Sequence, residues 1–369
     1  MSEEDGFIQA ILGDPDDDTP RLVFADWLEK RGEPRAEFIR VQCALSKLTA
    51  DRERAAFMSL GQKQFAADEG ASIRLVRAWL LSYCCGIQHA LVNCPADENL
   101  TPLQAREREL LAEHELAWVG PIQGWAVPET YREMGEESER ASRWRFRRGF
   151  IESVFMDPSV FLTVADHLFH LVPIQEVTFL DPQGDLSALM ASHWLGNLTR
   201  MTCIDESLRD RHLGDRNIQV LAASPYLGRL VVLELYAQGV GDAGAQALAT
   251  APSLKNLAIL VLGRNGISDV GAQALAGSPN LANLVHLDLG MTAISDSGVR
   301  ALAASPYLTR LASLDLSLNH RISDASAEAI LSSPHLTCLI GLAICGQGIS
   351  EAGRQALRAR FGDGLDLTF

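Results

Sequence analysis

Several groups of titratable side chains have types and spacings that could support catalysis or metal binding. His167 and His170 lie three residues apart beside Asp166, so on a helix both imidazoles could reach one metal ion. Leucine and phenylalanine residues surround the pair, however, and no second cluster of ligands accompanies it in the sequence. This context favours two histidines on the surface of a helix, and we predict no metal site.

A second candidate is an acid/base pair formed by Asp26 and Glu37 near the start of the chain. In so short a segment, Asp26 is explained more simply as a helix cap or as a partner of Arg21 or Arg35. Trp27 beside it is expected in a small core. The sequence also lacks a nucleophile elbow, a phosphate-binding loop, a zinc-binding helix motif and a dinucleotide fingerprint. We therefore predict that the protein is not an enzyme and uses no cofactor.

The composition limits the classes of partner. The chain has 369 residues and a formal net charge of −15, which argues against nucleic acid or an anionic membrane as the main partner. Its seven cysteines include no C-x-x-C pair, which favours buried thiols in a reducing compartment. The first residues are acidic, unlike a secretory signal, and the apolar run 78–87 is too short to span a bilayer. We predict a cytoplasmic protein.

One basic and aromatic segment departs from this acidic character. Five arginines fall between residues 140 and 148, interleaved with Trp144 and Phe146. Such alternation occurs in nucleic-acid-binding surfaces, and also in an edge strand whose aromatic side chains pack while its arginines face water. We favour the second interpretation because the rest of the chain is acidic, and we predict capping strands over residues 144–154.

An internal repeat organises the C-terminal part of the chain. An isoleucine or valine opens each of five copies, at steps of 27, 27, 28 and 27 residues. These opening residues are Val240, Ile267, Ile294, Ile322 and Ile349. A period of this length indicates a solenoid, in which each copy buries its apolar face against its neighbours.

Each copy predicts one strand, one turn and one helix. The alternation in Leu260-Val261-Leu262 indicates a short strand whose two leucines face one side. A polar side chain that can satisfy backbone groups at the turn follows in every copy. It is Gln238, Asn265, Thr292, Asn319 or Gln347. Ser268-Asp269 before an alanine-rich run then indicates a helix start.

The repeat pattern resembles a known family. From Leu257 to Ala276 the sequence reads L-x-x-L-x-L-x-x-N-x-I followed by S-D-x-G-A-x-A-L-A, which is similar to the ribonuclease-inhibitor-like class of leucine-rich repeats. The resemblance implies an α/β fold, a right-handed leucine-rich-repeat solenoid or horseshoe. It also implies a parallel sheet on the concave wall and helices outside.

The first 50 residues have a resemblance of their own. Residues 14–20 are rich in aspartate and proline and separate two apolar helical patterns. The motifs Ala25-Asp26-Trp27-Leu28 and Arg35-Ala36-Glu37-Phe38-Ile39 resemble the short repeat-companion domain found ahead of leucine-rich repeats in bacterial paralogues. This resemblance implies a small helical domain and no agreed activity.

The sequence therefore predicts four regions. Residues 1–50 form the helical repeat-companion domain, and residues 51–139 form a helical extension with an insertion at 61–99. Residues 140–207 form irregular capping strands and repeats. Residues 208–369 form the repeats of 27–28 residues with a C-terminal cap.

The concave wall is the predicted functional surface, where side chains flanking the paired leucines should point to the open face. Those expected to contact a partner protein are Glu234, Tyr236, Val261, His286, Asp288, Asp315 and Ser317. Their three carboxylates could form an acidic track that attracts a protein with a basic surface. Solvated polar residues without any partner are an equally open interpretation.

Two other functions stay open. One is an enzyme or enzyme regulator with its active part in residues 51–139, which a cleft gathering Glu107, Glu109, His114 or His89 would favour. The other is a structural paralogue module without a single partner. The oligomeric state does not follow from the sequence.

Overall fold

The computed structural model describes residues 3–59, 100–120, 122, 125, 144–182, 184–205, 212–344, 348–362 and 365–367. The chain divides into two compact units, one formed by residues 1–52 and 94–180 and the other by residues 53–93 and 181–369. The predicted insertion at 61–99, His89 and Gln347 lie outside the described residues.

Helices and strands alternate along most of the chain. The helices are α1 (Glu3–Gly13), α2 (Thr19–Glu29), α3 (Arg35–Ser59), α4 (Leu100–Trp118), α5 (Pro158–Leu171), α6 (Ser187–Met190), α7 (Gly214–Ala222), α8 (Asp242–Thr250), α9 (Asp269–Ala276), α10 (Asp296–Ala303), α11 (Asp324–Leu331) and α12 (Glu351–Phe361). The strands are β1 (Trp144–Arg147), β2 (Phe150–Met156), β3 (Glu176–Leu180), β4 (Arg200–Ile204), β5 (Val232–Glu234), β6 (Ile259–Val261), β7 (His286–Asp288), β8 (Ser313–Asp315), β9 (Gly341–Ala343) and β10 (Leu365–Asp366).

The N-terminal helices follow the signals in the sequence. α2 begins at Thr19, whose N–H donates to Asp17 Oδ1 over 2.8 Å, and a proline occupies its first turn, where no N–H is needed. The helices close over a core that includes Ile11 and Phe24, neither of which has exposed surface. Trp27 packs against this core, as predicted. On α4, which lies in the predicted helical extension, Leu110 is buried.

The basic segment forms the predicted strands β1 and β2, which pair antiparallel. Gly149 in the turn between them has a φ of 86°, and a Cβ there would lie 2.2 Å from Cγ1 of Ile39, so only glycine fits. The expectation that the arginines here face water is wrong for Arg148, which is 7% exposed and donates to Glu152. Arg148 lies in the turn, not on the strand, so the alternation of the strand does not set its direction.

The second unit contains a parallel sheet in which each strand from β4 to β10 pairs with the next along the chain. The middle leucines of β5 to β9 stand in register and are buried. These are Leu233, Leu260, Leu287, Leu314 and Leu342. The fold is therefore the predicted α/β leucine-rich-repeat solenoid of strand, turn and helix, preceded by an N-terminal helical region.

The helix starts of the repeats are confirmed. The hydroxyl groups of Ser268, Ser295 and Ser323 each accept the N–H two residues later, at the caps of α9, α10 and α11. Proline follows each helix shortly after its end and returns the chain to the next strand.

An aspartate near the start of each helix from α7 to α11 also links its copy to the next. Asp242 Oδ1 accepts the N–H groups of Ser268 and Gly271, both over 2.8 Å, while its Oδ2 accepts the Ser268 hydroxyl over 2.6 Å. Burial would raise the pKa of Asp242, but these hydrogen bonds outweigh burial and hold the pKa below its ordinary value. The same link recurs along what we call the aspartate ladder, Asp215, Asp242, Asp269, Asp296 and Asp324.

The polar residue after the strand satisfies the turn, as predicted, in the three copies of Asn265, Thr292 and Asn319, while Gln238 Oε1 has no partner among the described residues. Asn319 Nδ2 donates to the carbonyl oxygens of Leu289 and Leu316 over 2.8 and 3.1 Å, and its Oδ1 accepts from Thr292 and Ile294. Asn265 makes the corresponding bonds two copies earlier. Each asparagine thus ties its own copy to the preceding one.

None of the helices within the described ranges is both long enough and apolar enough to cross a membrane.

Candidate functional site

The predicted binding residues lie on the side of the parallel sheet opposite its buried leucines, because successive side chains of a strand point to opposite faces. We call this side the front face. Its first row is Val232, Ile259, His286, Ser313 and Gly341, and its second row is Glu234, Val261, Asp288, Asp315 and Ala343. Tyr236 and Ser317 come two residues after the second row.

The residues predicted for this face differ in accessibility. Tyr236 is 50% exposed, and the three carboxylates and Ser317 are partly buried. Val261 and His286 are only 7% and 6% exposed, so the expectation that both present accessible side chains is wrong. Neighbouring strands stand about 4.8 Å apart, and the side chains in register on either side leave these two little accessible surface.

Asp288 and Asp315 converge on the front face. A methyl group on Gly290 would lie 3.2 Å from Asp288 Oδ1 and 3.0 Å from Asp315 Oδ1, so both carboxylates approach one point above this glycine. Asp288 Oδ1 accepts the Gly290 N–H over 2.8 Å, and Asp315 Oδ1 accepts the Ser317 N–H over 2.8 Å. Burial, together with the charge of Asp315, raises the pKa of Asp288 to about 7. At neutral pH Asp288 is therefore only about half ionised, and a cation placed beside the pair would favour its ionised form.

His286 belongs to the floor of the front face. Its Nδ1 lies 2.9 Å from Oγ of Ser313 on the next strand. Burial lowers the pKa of His286 to about 4, so the imidazole is neutral at neutral pH. The pairing with Ser313 satisfies a buried polar ring and supplies no charge to the surface.

A cavity of about 520 Å³ lies at one end of the front face, at the carboxyl ends of β4 and β5. Its lining includes Thr202, His212, Glu234, Tyr236 and Arg264. Glu234 is paired with Arg200 on the preceding strand, with 3.8 Å between Oε1 and Nη1. Parallel sheets commonly bind ligands at the carboxyl ends of their strands, and the volume lies within the range of ligand pockets.

Each turn after the strands β5 to β8 holds one non-glycine residue in the left-handed region. These residues are Ala237, Arg264, Met291 and Leu318, with φ between 53° and 57°. The N–H of Arg264 donates to the carbonyl oxygen of Gly290 over 2.8 Å, and Ala237 and Met291 make the same bond to the following copy. The hydrogen bonds between copies thus account for a conformation that most side chains avoid.

The acid/base candidates of the N-terminal region are separated. Asp26 pairs with Arg40 over 2.7 Å, not with Arg21 or Arg35 as predicted, and Glu37 forms two hydrogen bonds with Arg106. The prediction failed because Arg21 is fully buried and pairs instead with Glu152, which lies 131 residues away in the sequence. A spacing rule for neighbours on one helix could not find such a partner.

The residues proposed for a cleft in residues 51–139 also have different partners. Glu107 accepts from Gln42 over 2.7 Å, and Glu109 accepts from Arg106 over 2.9 Å. The ring of His114 packs against Trp118, with 5.4 Å between centroids. These contacts do not bring the three side chains to one point within the described residues.

The two histidines on α5 follow the surface interpretation. Both are exposed, and His170 Nδ1 lies 2.5 Å from the carbonyl oxygen of Asp166 one turn earlier. His167 packs edge-on against Trp125. Within the part of the chain that the structure describes, no group of three or more histidine, cysteine or acidic residues could hold a metal ion.

Sequence analysis missed the cavity residues Arg264, Thr202 and His212. The position of Arg264 recurs at a step of 27 residues, but its type changes to alanine, methionine or leucine in other copies, so residue type gives no repeated signal. Arg264 could have been found from its position alone, because it directly precedes Asn265 in the turn that every copy shares.

Comparison with known proteins supports the repeat assignment. A leucine-rich-repeat family model matches residues 253–276, 280–303 and 307–331. Among solved structures, the chain is similar to an internalin from Listeria monocytogenes, with 22% identity and a TM-score of 0.36. That match covers 53% of this chain and 54% of the internalin chain, about half of each, and the fold assignment does not depend on it. No curated protein sequence matches this chain.

Proposed function

We propose that the protein is a non-enzymatic scaffold whose front face, predicted to be the concave wall, binds a partner protein with a basic surface. The observation that carries this proposal is the second row of the front face, where Glu234, Asp288 and Asp315 occupy register positions on three of four neighbouring strands. Solenoid repeats commonly use such extended surfaces for binding.

The charge and rigidity of this face support a basic partner. The carboxylates of Asp288 and Asp315 converge above Gly290, so a lysine or arginine of the partner would relieve their mutual repulsion. Hydrogen bonds to the Gly290 and Ser317 amides already fix both side chains. Binding would therefore lose little conformational entropy on this side of the interface.

Several finer assignments belong to the same proposal. They are the ribonuclease-inhibitor-like class of the repeats, the bacterial repeat-companion domain, the four-region division and a cytoplasmic location with neither nucleic acid nor membrane as partner. The enzyme alternative draws no support from Glu107, Glu109 and His114, whose contacts diverge. The experiment that follows distinguishes the proposed scaffold from the alternative of a structural module without a single partner.

The test combines crosslinking with removal of charge. A photo-crosslinking amino acid at Ser317 on the front face should capture a protein that the same group at the exposed Gln273 on α9 does not. The captured protein is then purified and titrated against a Glu234→Gln, Asp288→Asn, Asp315→Asn variant. These amides keep the shape of the face and its acceptor oxygens, so we expect affinity to fall about tenfold or more through lost charge.

The matched control removes three exposed carboxylates elsewhere, with Glu113→Gln, Glu328→Gln and Glu351→Gln. Equal affinities of the two triple variants for the captured protein would contradict the front-face proposal. Absence of any protein specific to Ser317 would favour the structural module.

A further inference from the structure

Among the described residues that line the cavity at the end of the front face, Arg264 is a cation available for a ligand. Arg264 lines the cavity and is exposed, and no described residue forms a hydrogen bond or ion pair with its guanidinium group. Both carboxylates of the lining have interactions of their own, since Glu234 pairs with Arg200 and Asp205 also has a partner. The guanidinium can therefore meet an incoming anion without breaking a contact to the described residues.

The backbone of Arg264 is held in place before any ligand arrives. Its backbone is in the left-handed region with a φ of 55°, and its N–H is held by the carbonyl oxygen of Gly290 at 2.8 Å. Tyr236, half exposed, and Thr202 line the same cavity and bring two hydroxyl groups. A planar fork of donors with neutral hydroxyls nearby suits a carboxylate, which arginine binds through two parallel hydrogen bonds.

The charges around the cavity argue for a singly charged ligand group. Glu234 and Asp205 also line it, so a doubly charged phosphate would meet more repulsion than a carboxylate. The lining is mixed, with the ring of Tyr236 and the side chain of Ile204 next to the polar groups, so an apolar side chain beside the carboxylate would also find contacts.

We propose that this cavity binds the C-terminal carboxylate of a peptide segment whose upstream basic residues lie over Asp288 and Asp315. The inference rests on the proposed function. It specifies which part of the partner protein binds the front face, namely its C-terminal segment. The front face then presents two groups of opposite charge, the guanidinium of Arg264 at the cavity and the carboxylates of Asp288 and Asp315 on the next two strands.

Strand spacing sets the arrangement of charges in the peptide. Arg264 follows β6, so Asp288 on β7 lies one strand away and Asp315 on β8 lies two strands away. These separations correspond to about 5 and 10 Å across the sheet, or about two and three residues of extended chain. The peptide should therefore carry lysine two and three residues before its terminal residue.

The experiment titrates the full chain with acetyl-Gly-Lys-Lys-Ala-Phe that ends either in a free carboxylate or in an amide, using calorimetry. The free carboxylate should bind about ten- to a hundredfold more tightly, because the amide cannot accept two charge-assisted hydrogen bonds from Arg264. This comparison needs no variant and thus does not depend on folding of a mutant. A third peptide, amidated but with glutamate in place of phenylalanine, shows whether a side-chain carboxylate serves equally.

Two variants locate the effect. Arg264→Gln should bring the affinity of the free peptide down to that of the amide, while Arg229→Gln, another exposed arginine, should leave it unchanged. Circular dichroism checks that both variants are folded. Equal affinity for carboxylate and amide peptides, equal affinity for the glutamate peptide, or an Arg264→Gln variant that keeps the preference each overturns the assignment of a C-terminal carboxylate.

The same titrations separate this inference from the proposed function. Asp288→Asn with Asp315→Asn should weaken both peptides by a similar factor, since it acts on the lysines. If that loss occurs while carboxylate and amide bind equally, the acidic surface stands and the cavity assignment fails. If the carboxylate preference persists but the acid-to-amide changes have no effect, the cavity assignment stands and the basic-partner proposal fails.

Discussion

The two units satisfy their buried polar groups in different ways. In the first unit, Glu152 is 2% exposed and accepts hydrogen bonds from Arg21 and Arg148, so side-chain charges neutralise one another. In the repeats, Asn319 is fully buried and bonds mainly to backbone groups, and it carries no charge. The first arrangement joins residues far apart in the sequence, while the second joins residues about one copy apart.

The difference explains which unit depends on single residues. Arg21 is fully buried, and its Nε and Nη1 find no hydrogen-bond acceptor among the described residues. Its burial is therefore costly, and Glu152 compensates much of that cost. In the repeats, the asparagines and the aspartate ladder satisfy buried polar groups at several equivalent positions. Each of these residues therefore contributes only part of the stability.

Removal of the charge of Glu152 should have the largest effect. Glu152→Gln leaves Arg21 and Arg148 without their common carboxylate, and we expect the free energy of unfolding to fall by about 3–5 kcal/mol. Urea unfolding followed by circular dichroism measures this loss. The control, Glu29→Gln, removes an exposed partner of Arg40 and should change stability by less than about 1 kcal/mol. Similar losses in the two variants would show that the buried ion cluster adds little.

Removal of one turn asparagine should have a smaller effect. Asn319→Ala leaves buried backbone groups of two copies without partners, and we expect a loss of about 2–3 kcal/mol. Asn283→Ala, which removes a solvent-exposed bond to the Lys255 carbonyl, is the matched control and should cost about 0.5 kcal/mol or less. A loss for Asn319→Ala as large as that for Glu152→Gln would erase the contrast between the two units.

The aspartate ladder should give the smallest effect, and one that depends on pH. The folded-state pKa of Asp269 is depressed, because hydrogen bonds from Ser295 and Gly298 outweigh the burial that would raise the pKa. Its contribution is therefore present above the unfolded pKa of about 3.9 and is lost as pH falls through the folded value. Asp269→Asn should lower stability by about 1 kcal/mol or less at pH 7, since the group is partly exposed.

Urea unfolding of both proteins at pH 7 and near pH 3 checks this sign. The stability difference between wild type and Asp269→Asn should shrink at the lower pH. A difference that stays constant, or grows, would mean that the carboxylate form is not what links the copies.

The repeats could be predicted from sequence because their determinants are local and recur. The strand of Leu260 and Leu262, the cap at Ser268 and the role of Asn265 all follow from residues within one copy. The link from Asp242 to Ser268 was missed, although aspartate recurs at that position in the first four copies. It was interpreted only as part of a helix start, since the next copy is needed to see its second partner.

The first unit and the proposed binding surface were predicted less completely. Arg148 was expected in water and is buried, because the carboxylate that it meets and the turn that directs it inward are set by tertiary packing. On the front face, the register of Glu234, Asp288 and Asp315 followed from the period, but the burial of His286 and Val261 did not. Accessibility depends on neighbouring strands, whose side chains differ from copy to copy.

The left-handed turn residues can be substituted one at a time to change the side chains on the surface. Ala237, Arg264 and Met291 contribute their main-chain N–H to the bond with the following copy, whatever their side chains are. Substitutions at these positions can therefore change the side chains that the turns present beside the front face, while the hydrogen bonds between copies stay intact. The side chain at such a position, Arg264 among them, can therefore be exchanged without loss of the backbone bond that joins two copies.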